Sequence, residues 1–477
     1  MWVARALLIA GLLGAAPAGA QTYDQFRALC FGEATDDQSI VGCNVVIAAG
    51  QERPHVIAAA YLSRGLAYKN KGDPARTSAD VSEAIKLQPL FPEALAARAA
   101  LHADKGDTER ALQDYDLAIR QRPGFADAIH NRGTVHALRR DYDRAIADYD
   151  RAIDLAPQDP YPYASRGNAW FNSGNIERAL QDYARALELQ PGHIPALFNR
   201  GRVQASRGRP DLAISDFSRA LDVRPDFDLF MNRAAAFIQR ADHDGAIADY
   251  YRAIQLRPNA AAAFSARARA YRWKGDLERA LADHGRAIEL QPSSSDPLVE
   301  RAATWRAKGN FDAAFEDFGR AIRLQPNDAV AYLQRGTLYD SLRKYDAALK
   351  DYDRVLALNG NDPEGLARRC LTRAKSGKLD GALADCNASL RQRPDAAATL
   401  ETRAYVHLRL RLYATAIADY DAAFARAAPT AAGLYGRGIA RRTMGDVTGG
   451  NADIAAATAQ RETIADDMQR IGVGPSL

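Results

Sequence analysis

Residues 160–193 read PYPYASRGNAWFNSGNIERALQDYARALELQPGH, and this stretch decides the fold. Tyr163, Gly167 and Trp170 fall at i, i+4 and i+7, the spacing of one helical face, and Ala179, Tyr183 and Ala186 do the same further on. Between the two triads Gly174 supplies the left-handed residue that ends a first helix, and the Asn175 side chain caps the amides that open a second. Pro191 then stops the second helix. The stretch is a helical hairpin, with small residues where the two helices approach and large ones beside them.

The same phrase recurs up and down the chain. The closing AIKLQP at Pro89 returns as AIRQRP at Pro123, AIDLAP at Pro157, ALELQP at Pro191 and ALDVRP at Pro225, and again before Pro258, Pro292, Pro326 and Pro394. Gly360 fills the one missing slot, and one residue is deleted between Pro225 and Pro258. With the proline at position 32, eleven units begin at residues 58, 92, 126, 160, 194, 227, 261, 295, 329, 363 and 397, and a looser twelfth begins at 431. A period of this size signals a solenoid, in which each unit buries its apolar face only by stacking on its neighbours.

Small, aromatic and proline positions at 4, 8, 11, 20, 24, 27 and 32 of such a hairpin resemble the tetratricopeptide repeat, over roughly residues 58 to 465. The resemblance implies an all-α, right-handed superhelical solenoid of stacked helix-turn-helix repeats. Its A helices would line a concave groove that holds peptides or protein surfaces. The family's carboxylate clamp uses Lys and Asn at fixed groove positions. This chain has Asn168 and Asn172 at positions 9 and 13 but no Lys at position 5 of the next repeats, so that particular recognition is not implied.

The chain has 477 residues, 47% of them hydrophobic, and a net charge of +4, which gives no electrostatic reason to expect a nucleic-acid partner. The repeat leaves no block large enough for a separate catalytic domain, and no glycine-rich phosphate loop, zinc-type His motif or nucleophile elbow is present. No enzyme activity, cofactor or metal is expected. Arg5, the apolar run Ala6 to Leu13 and Ala18-Gly19-Ala20 read as a cleavable secretory leader, with a retained anchor as the plainer alternative. The expected organisation is a leader over 1–20, a helical cap over 21–57, eleven repeats over 58–430, and a degenerate twelfth repeat with C-terminal cap and tail over 431–477. The expected location is periplasmic or secreted, without stable membrane insertion after removal of the leader near Ala20.

Four cysteines test that address. Cys370 and Cys386 occupy positions 8 and 24 of one repeat, which two antiparallel helices bring face to face, so a bridge there replaces an aromatic contact. Cys30 and Cys43 lie ahead of the repeats, where Ile40, Val45, Val46 and Ile47 supply an apolar face for a small cap. No CxxC occurs, and His102, His136 and His407 at position 11 and His284 at position 24 read as packing residues.

Position 7 is Arg in all twelve units, from Arg64 to Arg437, and position 23 is Asp in all twelve, from Asp80 to Asp453. A ladder for anionic polymers is one reading; ion pairs that set the stacking register are the other, because each Asp cancels an Arg. Whether the pairs form within or between repeats is open at this level.

Function then falls to helix A positions 2, 5, 9, 12 and 13. In repeats four to eight the candidates for groove binding are Tyr161, Asn168, Phe171, Asn172, Phe198, Arg202, Arg269, Arg272, Trp273 and Arg306, with Met231, Ile238 and Gln239 on the same positions. Aromatics with arginines are the side chains enriched at binding hot spots. The expected function is a scaffold or adaptor for an envelope or secreted protein or peptide. A binder or chaperone of envelope polysaccharide or peptidoglycan is the alternative, and a partner domain of a separate transferase a third.

Overall fold

The computed structural model describes residues 22–474; the leader expected over 1–20 lies outside them. Among the described residues the chain forms twenty-seven helices and no strand. They group into two compact units, one ending at Pro225 and the other beginning at Asp226. Each unit is an all-α stack of helix-turn-helix repeats. The missing residue of the period falls where the units divide: the loop between Val223 and Phe227 is one residue shorter than the loop between Leu189 and Ile194.

Local chemistry sets each hairpin. In repeat four helix A spans Pro160–Asn172 and helix B Ile176–Leu189. Gly174 has φ +91°, its amide donates to the Phe171 carbonyl and that of Asn175 to the Trp170 carbonyl, so the free carbonyls of helix A are satisfied. The Asn175 side chain then accepts from the Arg178 amide at 3.2 Å and caps helix B. Asp73, Asp107, Asp141, Asp242, Asp276, Asn310 and Asp446 cap their own B helices in the same way. Four repeats lack the glycine and place Arg140, Ala241, Arg343 or Arg411 in the left-handed region, with φ near 60°.

The core repeats as the hairpins do. Tyr115, Tyr149, Tyr183, Phe217, Phe318, Tyr352 and Tyr420, all at position 24, are buried, and each such ring contributes about 1.5–3 kcal/mol by leaving water. The opposing position 8 is small for a steric reason. A methyl group on Gly167 would stand 2.7 Å from the Tyr183 ring, and one on Gly201 2.7 Å from Phe217. In repeat ten a disulfide joins Cys370 to Cys386 across this same seam, with Cα atoms 5.4 Å apart. A second joins Cys30 to Cys43, tying helix Tyr23–Phe31 to helix Asp36–Ala49. Val46 and Ala60 complete that cluster, with Ile47 and Ile57 packed against it. Helix A of the first repeat already begins at Pro54.

Every position-7 arginine holds the position-23 aspartate of its own repeat through Nε and Nη2, as in Arg166 to Asp182 at 2.8 and 2.7 Å and Arg200 to Asp216 at 2.8 and 2.6 Å. The pairs thus form within repeats. A further bond crosses between them: Nη1 of Arg132, Arg166, Arg369, Arg403 and Arg437 reaches Asp116, Asp150, Asp353, Asn387 and Asp421, each at position 25 of the preceding repeat. Buried pairs of this kind add little net stability but penalise any other register.

Candidate functional site

In the first unit, helix A of repeat four and helix A of repeat five, Ile194–Ser206, shape a cavity of about 210 Å³. It is lined by Asn168, Phe171, Asn172, Tyr183, Asn199 and Arg202. The Tyr183 hydroxyl donates to the Asn168 amide oxygen at 2.6 Å, which fixes that amide and leaves its nitrogen for a ligand. Burial raises the Tyr183 hydroxyl above its ordinary pKa, so it stays a donor. Arg202 stacks over Phe198, 5.7 Å from the ring centroid. Three amides, an apolar ring and one cation in a cavity suit a polar chain carrying an apolar or acidic side group.

The cavity gathers Asn168, Phe171, Asn172 and Arg202 from the sequence candidates. Phe198 is not among its lining residues and stands against Phe217, with ring centroids 6.0 Å apart. Tyr161 stands apart, exposed and edge-on to His193 at 4.6 Å.

The second unit carries a different arrangement. Arg272 donates to Glu300 at 3.1 Å, and Arg269 stands 4.0 Å from the same carboxylate. Arg306 reaches the Gln334 amide oxygen at 3.5 Å. Beneath them His284 is fully buried with neither ring nitrogen hydrogen-bonded, and burial, with Arg272, Arg269 and Arg301 near, pushes its pKa down to about 3. Trp273 is half exposed, tilted against His243 at 6.1 Å. Met231 and Ile238, both partly buried, pack against the core cluster of Ala234, Ala246, Tyr250, Ala266 and Ala270.

Asn199, Glu300 and Gln334 share position 6, which the sequence reading did not count as groove. On a wheel of 3.6 residues per turn position 6 falls beside positions 2 and 13, and that adjacency was the available signal.

The last repeats hold a segment of the chain itself. Helix Ile464–Arg470 buries Ile464 and Met468, and Val473 follows, in one apolar cluster with Tyr405, Leu408, Tyr435 and Ile439. Those four are positions 9 and 12 of repeat eleven and 5 and 9 of repeat twelve. The Tyr405 hydroxyl donates to the Ile471 carbonyl at 2.9 Å. Helix A groove positions here take up a short helix and its trailing backbone.

Models of the tetratricopeptide repeat match residues 62–126, 133–192, 165–226, 198–261 and 329–362. No curated protein matches the chain. Among solved structures, YrrB, described as a TPR protein with an unusual peptide-binding site, is 26% identical and covers 38% of this chain and 95% of its own, with a TM-score of 0.35. Yeast Tom70 is 14% identical and covers 86% of this chain and 99% of its own, at 0.46. A chain of the APC/C hetero-tetramer Cut9-Hcn1 is also 14% identical, with 95% of this chain and 97% of its own covered, at 0.44. With the period, the small and aromatic seam and these family matches together, the chain belongs to the tetratricopeptide-repeat proteins.

Proposed function

We propose that this chain is a non-enzymatic scaffold of the cell envelope or secretory space, holding another protein or peptide on the groove face of its A helices. The observation that carries the reading is the C-terminal segment: groove positions of repeats eleven and twelve hold a short helix and the residues after it through Ile464, Met468 and Val473, and the Tyr405 hydroxyl donates to the Ile471 carbonyl. A peptide from outside would meet a more polar stretch of the same helix A face at the Asn168–Arg202 cavity. Export is supported by the leader pattern over 1–20 and by the two disulfides, which persist in oxidising compartments. No helix among the described residues is long and apolar enough to cross a membrane. The proposed organisation keeps a cap over 21–57, repeats over 58–430 and a twelfth repeat with tail over 431–477.

Affinity capture from an oxidised envelope extract tests the reading, run with and without prior protease treatment of the extract. A retained protein that vanishes on protease treatment is the expected result. Retention of carbohydrate that survives protease would replace a protein scaffold by a polysaccharide binder.

A further inference from the structure

Arg272 and Arg306 occupy position 12 of successive repeats, and each reaches position 6 of the next, 28 residues on. The two slots are equivalent in the fold and differ in chemistry. The first is filled by Glu300, whose carboxylate accepts from Arg272 at 3.1 Å. In the second the same place is held by Gln334, an uncharged amide at 3.5 Å. Arg306 is half-buried and, among the described residues, the one hydrogen bond of its guanidinium is that to Gln334. Burial, with Arg272 and Arg368 near, holds its guanidinium below its ordinary pKa. Arg368 already has Glu364 at 2.8 Å. A half-buried cation with an amide in place of its acid lacks the compensation that desolvated charges need.

We infer that the slot between Arg306 and Gln334 takes a carboxylate from the bound partner, so that this unit selects a peptide segment presenting Asp or Glu there. Glu300 shows that a carboxylate fits the equivalent place against Arg272. The inference rests on the reading of the groove as a peptide site and names the chemistry of its occupant.

The intact chain is titrated, by fluorescence anisotropy, with a labelled oligoglutamate peptide, an oligoglutamine peptide of equal length and an oligogalacturonate of equal charge. Oligoglutamate should bind at least about tenfold more tightly than oligoglutamine, as charge-assisted pairs outweigh neutral ones. Gln334→Glu should fill the slot from inside, weakening oligoglutamate binding about tenfold while the thermal midpoint holds or rises. Arg306→Gln should weaken it equally, and Gln334→Glu added to Arg306→Gln should bring no gain in midpoint. Equal affinity for oligoglutamine, unchanged oligoglutamate binding in Gln334→Glu, or preference for the oligouronate would each overturn the inference. If Gln334→Glu still captures the envelope partner at full strength, the slot is wrong and the groove reading stands. If the unaltered chain captures no protein, the groove reading itself falls.

Discussion

Arg132 joins Asp116 at 2.7 Å across the boundary between two repeats, while the rest of its guanidinium grips Asp148 inside its own repeat at 2.9 and 2.6 Å. One side chain therefore fixes both the hairpin and its stacking. The two carboxylates are unequal: the Asp148 side chain is 9% exposed and that of Asp116 44%. Asp148→Ala should cost about 3 kcal/mol, since it breaks a buried pair, and Asp116→Ala about 0.5 kcal/mol. At Arg200 the residue at position 25 of the preceding repeat is Ala184, so Asp216→Ala removes the carboxylate that its guanidinium holds and should cost at least as much as Asp148→Ala. Urea midpoints of the three variants decide it. Equal midpoints for Asp148→Ala and the unaltered protein would reduce the whole series to surface decoration.

Ala241 holds a left-handed conformation, φ 60°, at the turn where most repeats have glycine. A Cβ there costs about 1–2 kcal/mol, partly offset because glycine would lose more chain entropy than alanine on folding. Ala241→Gly should raise stability by about 0.5–1 kcal/mol. A lowered thermal midpoint would show that the turn carries no strain.

His284 makes stability depend on pH. The folded imidazole stays neutral down to about pH 3, whereas its ordinary value is 6.5. Below 6.5 the unfolded chain binds a proton that the folded chain refuses. The contribution is therefore complete above pH 6.5 and is lost, at about 1.4 kcal/mol per unit, as pH falls from 6.5 toward 3. His284→Phe, which restores the ring type of Phe217 and Phe318, should flatten the fall in urea midpoint between about pH 7 and 5. Parallel pH profiles would mean that water reaches the imidazole.

Protein made under oxidising conditions should contain no free thiol, and peptide mapping should find Cys30 with Cys43 and Cys370 with Cys386. Each loop, with separations of 13 and 16 residues, should be worth about 3 kcal/mol in the chain-entropy account. Free thiols in exported protein would remove the support that the bridges give to an oxidising address.

Phe171 lines the cavity of the first unit, and Trp273 is half exposed on the second. Replacing each with Ala should weaken partner capture by about 2 kcal/mol if it is an anchor, with helicity and melting nearly unchanged. Lys86, 74% exposed on a B helix, is the control. Undiminished capture by both single variants moves the site elsewhere along the A helices. Loss of folding instead would place these rings in the core.

The period, the hairpin and the seam were legible because they are local. Gly174 and Asn175 end one helix and start the next within four residues, and the spacing of Ala179, Tyr183 and Ala186 defines a face on any helix. The constancy of Arg at position 7 and Asp at position 23 announced a pairing, and the facing of positions 8 and 24 announced the Cys370–Cys386 bridge. What the chain could not declare one residue at a time was which partner lies across a boundary. Asp116 meets Arg132, Glu300 meets Arg272, and Gln334 stands where a carboxylate would neutralise Arg306, because stacking sets position 25 against the next position 7 and position 12 against the next position 6. Nor does the tail read as a ligand: Ile464, Met468 and Val473 form a weak pattern that becomes a buried face only when Tyr405, Leu408 and Ile439, brought together by the repeat, stand opposite it. Periodicity fixes a helix and its faces, and only the packed stack supplies what each face touches.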